Sequence, residues 1–374
     1  MNEMKQSFYN AVYFAEDGAF HAGGFSVMNG RFCDVGAVSE GEDLQGAYVI
    51  PGLLDIHTHG NSGYDFSSCN AEELEIIAKA HAKAGVVGFC PTSMTLPAET
   101  LEEAFSHAAR LYAHPPESAA RVLGVNMEGP FLSPQRKGAQ NAAYLRKPDM
   151  AFFRRMQQAA RGRIHMIDMA PELPGALAFI KAVRDEAIIS LAHSDADYDE
   201  AKRGFEAGIT HVTHMFNAIP GISHRAPGPI IAAAERKDVM VELIADGVHI
   251  HPAVIRVCYA LFGAERICLV SDSMEACGMG DGVYQLGGQT VKVKGALATL
   301  EDGTIAGSVT SVYTCMRNCI SWGIRREDAV RAATLTPAKR LHAEEEYGSI
   351  TNGKRAGFLI VDEGFHIKKI CIPD

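Results

Sequence analysis

Two histidines, His57 and His59, stand at i and i+2 where the apolar run Leu53-Leu54-Asp55-Ile56 ends, and Gly60 follows at once. Side chains on a β-strand alternate with a period of two, so both imidazoles face one side. Two imidazoles at a strand end are the start of a divalent-metal site, although the pair alone is equally compatible with structural histidines. Other apolar runs end the same way. Glu128 closes 122–128, His193 follows Ser190-Leu191-Ala192, and His214 follows Thr210-His211-Val212-Thr213. Asp246 and His249 follow 240–245, and Asp272 follows Ile267-Cys268-Leu269-Val270-Ser271. A lone histidine in such a place is usually a hydrogen-bonded structural residue. Several ionisable residues at corresponding strand ends have no packing explanation, because burying them unpaired is costly.

Imidazole and carboxylate together suit zinc or iron first, with manganese, cobalt and nickel as alternatives; magnesium and calcium prefer mostly oxygen ligands. The candidates exceed the needs of one ion, so one or two divalent ions are expected, with a carboxylate bridging in the second case. Glu128 suits the bridging place because its strand lies between the first and the fifth. Asp272 suits the general base, a carboxylate opposite the first-strand histidines that can take a proton from a metal-activated water.

Positioning these residues needs a set of parallel strands. Candidate strands fall at 53–57, 88–92, 122–128, 164–170, 187–193, 210–214, 240–245 and 267–272, and helical periodicity marks Ala71–Ala84, Ala98–Tyr112, Pro148–Ala160 and Asp197–Ala207 between them. Eight strands with intervening helices predict a TIM-type (β/α)8 barrel, whose chemistry sits at the carboxyl ends of the strands. A doubly wound open sheet would carry a glycine-rich nucleotide turn after its first strand, and none is found. Residues 1–50 and 345–374 read as short strands with too few apolar residues for separate cores. They are expected to form one small β-domain, with the barrel inserted between them at 51–344.

The chain of 374 residues carries a net charge of −10 and no basic block, which argues against nucleic acid or an anionic membrane as partner. The start, Met1 to Phe8, lacks the charged and apolar blocks of a signal peptide, and no stretch approaches the roughly 20 apolar residues of a membrane span. Nine scattered cysteines without a C-x-x-C pattern suit reduced thiols and a cytoplasmic location. Cys315 and Cys319, four apart on an expected helix, read as buried packing, and His251, before Pro252, as a structural residue at a helix start.

Several motifs go further. Pro51–Gly60, Glu128-Gly129-Pro130-Phe131-Leu132, Lys137-Gly138-Ala139, Arg146-Lys147-Pro148-Asp149, Ala192-His193-Ser194-Asp195-Ala196, Thr213-His214-Met215-Phe216-Asn217-Ala218, Ala245-Asp246-Gly247-Val248-His249, Ser271-Asp272, Ala306-Gly307-Ser308 and Ala333–Ala338 resemble the N-acetylglucosamine-6-phosphate deacetylases of the amidohydrolase superfamily. The resemblance covers nearly the whole chain. The His-x-His pair is superfamily-wide; the Glu128–Leu132 and His214–Ala218 stretches are much more specific.

The resemblance implies metal-dependent deacetylation of an N-acetyl amino-sugar 6-phosphate. It assigns one metal to Glu128, His193 and His214, and a second, sharing Glu128, to the retained His57 and His59. It places Arg225 on the phosphate and His249, Asn217 and Ala218 on the substrate, and it implies a homodimer in which a neighbouring subunit completes the phosphate site. One position departs from the pattern: Gln140 stands where relatives usually have histidine. If its side chain touches the sugar, N-acetylgalactosamine 6-phosphate becomes an alternative substrate. Two further readings are an amidohydrolase acting on a cyclic amide or an N-acyl amino acid, and a metal-free barrel serving as a scaffold.

Overall fold

The computed structural model describes residues 5–372, so Met1–Met4 and the last two residues, parts of the terminal segments read above, lie outside it. Eight strands run parallel in sequence order: Leu53–Thr58, Val86–Ser93, Val125–Glu128, Ile164–Met169, Ile188–Leu191, His211–Val212, Met240–Leu243 and Ile267–Leu269. Each pairs with the next. The ring closes where the Asp272 amide donates to the His57 carbonyl (2.9 Å) and the His59 amide to the Ser273 carbonyl (2.7 Å). This is the expected barrel, nearly closed.

The run read as a third strand over 122–128 is divided. Arg121–Val122 pairs with the second strand, and Val125–Glu128 continues beyond Gly124. At Gly124 the backbone passes so close to the His165 ring that an added Cβ would lie 2.3 Å from it, so a side chain has no room there.

Helices at Ala71–Lys83, Ala98–Ala113, Met150–Ala159 and Tyr198–Ala207 fall where the periodicity places them. Reciprocal capping boxes start two of them, Asn70 with Glu73 and Asp197 with Glu200. His251 caps the helix Pro252–Phe262 by accepting from the Ala253 amide, the structural part expected of it. Cys315 and Cys319 are buried on Val312–Ser321. No helix among the described residues is long and apolar enough to cross a membrane.

The outward strand faces and the helices share one large apolar core. Inside the ring, Met166 lies two residues before Asp168, and Cys268 and Val270 lie four and two before Asp272. A period of two therefore puts the apolar floor and the ionisable strand ends on one inward face.

A mixed sheet joins the chain ends: Tyr48–Pro51 pairs with Phe358–Val361 on one side and with Gln6–Phe14 on the other. Its core stacks Phe8, Phe25, Phe32 and Phe358 around one another. A second feature is absent from the sequence reading. Gly282–Leu286, Gln289–Lys294 and Leu297–Thr299 form a three-stranded antiparallel sheet after the eighth barrel strand. It packs Leu286, Val291 and Val293 against Met94, Ala139 and Met274.

Phe358→Ala removes the ring through which the carboxyl-terminal strand packs on the amino-terminal ones. It is expected to lower the unfolding free energy by about 3–5 kcal/mol, measured by urea titration; a loss under about 1 kcal/mol would contradict this packing.

Candidate metal centre

The carboxyl ends of five barrel strands, or the turns just beyond them, bring His57, His59, Glu128, His193, His214 and Asp272 together. All six are buried. His193 Nε2 and His214 Nε2 lie 3.2 and 2.9 Å from Glu128 Oε1, and His59 Nε2 lies 3.4 Å from Glu128 Oε2. His57 Nε2 is 3.7 Å from Glu128 Oε1. Asp272 Oδ1 completes the ring, 3.1 Å from His59 Nε2 and 3.6 Å from His57 Nε2. Two sets of potential ligand atoms, each within 4.8 Å of one another, result: His57, His59 and Glu128, and Glu128, His193 and His214.

The outer nitrogens fix how the rings point. His193 Nδ1 donates to the Arg136 carbonyl (2.8 Å), His59 Nδ1 to the Thr92 carbonyl (3.1 Å), and His57 Nδ1 to Glu242 Oε2 (3.0 Å). With a proton kept on Nδ1, each of these rings can offer an Nε2 lone pair inward once the Nε2 proton is displaced, the tautomer that a metal requires. His57 Nε2 is buried without a hydrogen-bond partner among the described residues, as a ligand atom awaiting a cation would be.

Glu242 and Asp168 are missed by the sequence reading. Both sit inside runs taken as buried strand, Met240–Leu243 and Ile164–Met169, and a carboxylate within such a run was the available signal. Asp168 accepts from Thr213 (2.8 Å), and burial, opposed by the His57 charge but reinforced by Glu242 and Glu128, pushes its carboxyl up to about 8.

The backbone is strained at these strand ends. His193, His214 and Asp272 have φ of 42°, 24° and 49°, a region that costs a non-glycine residue energy and that clusters at functional sites. The centre opens into a cavity of about 400 Å³, within the range of small-molecule sites. His249, Asn217, Ala218 and Gln140 line it. Asp246 holds His249 by Nδ1 (2.8 Å) and by its backbone amide (2.9 Å). Asn217 donates to the His214 carbonyl (3.0 Å).

Gln140 is buried, accepting from the Thr95 amide (2.7 Å) and donating to Glu128 Oε2. Its amide is thus committed to the metal-site carboxylate. Arg136, also missed, lines the cavity and pairs with Asp195 (2.7 Å). Arg225 lies exposed in the loop before the helix Gly228–Ala234 and does not line this cavity.

The amidohydrolase family model matches residues 48–373. The N-acetylglucosamine-6-phosphate deacetylase of Bacillus subtilis is 36% identical over 322 residues, covering 84% of this chain and 80% of its own. The chain belongs to the amidohydrolase family, in its N-acetylglucosamine-6-phosphate deacetylase branch. An N-acetylgalactosamine-6-phosphate deacetylase of Escherichia coli is 34% identical over 327 residues, covering 87% of this chain and 86% of its own. Among solved structures, the Mycobacterium smegmatis N-acetyl-D-glucosamine-6-phosphate deacetylase, as a mutant in complex with N-acetyl-D-glucosamine-6-phosphate, is 30% identical. It superposes with a TM-score of 0.91 over 100% of this chain and 98% of that one.

In this amidohydrolase the charges interlock. Burial alone would raise the Glu128 carboxyl, but His193, His214 and His57 hold it well below its usual range. Burial would lower His57, yet Glu242, then Glu128 and Asp272, hold it well above; His59 is raised by Asp272 and Glu128, and His214 by Glu128 and Asp272, against the same burial. In the metal-free protein these imidazoles therefore keep protons to a higher pH than free histidine, and a metal ion must displace them. Metal binding at pH 7 is expected to release protons, and apparent affinity should fall as pH drops. Calorimetry in two buffers of different ionisation enthalpy tests this; an observed enthalpy independent of buffer would refute it.

Proposed function

We propose that this chain is a metal-dependent deacetylase that hydrolyses N-acetylglucosamine 6-phosphate to glucosamine 6-phosphate and acetate. The observation that carries the reading is the pair of buried ligand sets sharing Glu128, with Asp272 beside them at the cavity wall. The likeness to deacetylases over most of the chain supplies the substrate class. Glu128, His193 and His214 would hold one divalent ion and His57, His59 and Glu128 a second; the nitrogen and oxygen donors suit zinc or iron. Such ions supply water activation near neutral pH and polarisation of the acetyl carbonyl.

Asp272 does the proton work. Burial would raise its carboxyl, but the His59 hydrogen bond and the His57, His59 and His214 charges hold it below the usual range, so it is ionised and able to accept a proton. It then delivers that proton to the departing amine, a poor leaving group unless protonated. His249, fixed by Asp246, presents its other ring nitrogen to the substrate, and Asn217 and Ala218 shape the wall.

Arg225 is assigned to the phosphate. Its exposed position outside the cavity of its own chain fits a homodimer in which it reaches the neighbouring subunit's site. All nine cysteines are unpaired, which supports a cytoplasmic enzyme. The N-acetylgalactosamine 6-phosphate reading is kept as the second one, because a curated relative with that name is 34% identical and Gln140 replaces the usual histidine in the cavity wall.

A deacetylation assay with the 6-phosphates of N-acetylglucosamine and N-acetylgalactosamine, and with each unphosphorylated sugar, decides among these readings. N-acetylglucosamine 6-phosphate should be the best substrate; equal rates with and without phosphate would exclude the phosphate assignment. Asp272→Asn should keep its metal and lose about 10²–10⁴-fold in kcat, and near-normal turnover would remove Asp272 from the mechanism. Arg225→Ala should raise KM for the phosphorylated sugar about ten- to a hundred-fold and leave the free sugar unaffected. A scaffold without metal would show no bound ion in the folded protein.

A further inference from the structure

Glu242 lies beneath the metal ligands on the seventh barrel strand, fully buried and one layer in from the cavity. Its carboxylate takes three hydrogen bonds: His57 Nδ1 at 3.0 Å and the His214 backbone amide at 3.1 Å, both on Oε2, and His211 Nε2 at 3.2 Å on Oε1. Its backbone carbonyl accepts from the Met215 amide at 2.9 Å. One residue thus grips a ligand of each metal set, His57 from the first strand and the strained His214 from the sixth.

The partner chemistry differs from ligand to ligand. His59 and His193 donate Nδ1–H to neutral backbone carbonyls, whereas His57 donates to a carboxylate. His214 Nδ1 has no partner among the described residues. An anionic partner fixes the ring's tautomer and raises its basicity as a ligand more than a carbonyl does. A carboxylate inside an apolar strand is also expensive unless each oxygen is used, and here both are. This cost has no counterpart in packing, since a leucine would fill the same place.

We infer that Glu242 is a positioning residue that makes the His57–His59 half of the centre a full metal site, by locking and enriching His57 and bracing His214 against it. This rests on the two-ion reading above. Glu242 touches neither the cavity nor the reacting atoms, so it acts through His57.

The test is metal content and affinity. Wild type and Glu242→Gln, each stripped and reloaded with zinc, are compared by elemental analysis and by competition with a graded chelator. Thermal unfolding of the metal-free forms checks the fold. Glutamine keeps the size and one acceptor but loses the charge. Wild type should hold two ions per chain. Glu242→Gln should hold one tightly, with the second weakened about 10- to 100-fold. Cobalt-substituted protein should lose one of two visible absorption components in parallel.

In a His57→Asn background, Glu242→Gln should cause no further loss of the second ion, because the ligand through which Glu242 serves that ion is gone. Should Glu242→Gln not fold, Glu242→Asp answers the same question, keeping the charge but withdrawing it by one methylene; the same selective loss is expected. Two ions in wild type and two bound as tightly in the variant would overturn the role of Glu242 alone. One ion in wild type would overturn the two-ion reading and this inference with it.

Discussion

A carboxylate cannot sit at the closed end of a barrel without a compensating charge, and Glu128 is surrounded accordingly. His193 and His214 face one oxygen, and His59 and Gln140 face the other. An unpaired ion at this depth would cost several kcal/mol. The histidines supply positive charge, as protons on imidazoles or as bound cations, and Gln140 adds a neutral donor. Either answer needs Nε2 lone pairs or Nε2–H groups aimed at one place, so ring orientation is the quantity the fold must control.

Control comes from the strand ends. At His193, His214 and Asp272 the chain turns through left-handed φ. Backbone carbonyls and Glu242 then pin the outer ring nitrogens. The seam between the eighth and first strands matters for the same reason. The bond from the Asp272 amide to the His57 carbonyl closes the ring and sets the Asp272 carboxylate beside the histidine pair. Closure of the fold and placement of that carboxylate are one interaction.

Much of this could be read from the sequence because period two and strand-end position are local properties. The apolar runs between helical patterns and the ionisable residues that close them gave the barrel and six candidate ligands, and the division of those candidates into ligand sets came from the family resemblance. What escaped reading was inward and non-local. Glu242 and Asp168 sit inside buried strands, where their meaning depends on which histidine lies across the barrel. The three-stranded sheet after the eighth strand was legible in principle. Val283 to Lys294 alternates, and Gly287-Gly288, with φ of 54° and 75°, is the two-residue turn that a hairpin favours.

Gln140 ties these threads together. A histidine among so many carboxylates would tend to hold a proton. Glutamine cannot: it donates to Glu128 and accepts from the Thr95 amide, and stays neutral at any pH. The carboxylates of Glu128, Asp272 and Glu242 are balanced by His57, His59 and His214, which hold protons in the metal-free protein and give them up to a cation. A neutral amide beside Glu128 leaves that balance to the histidines alone.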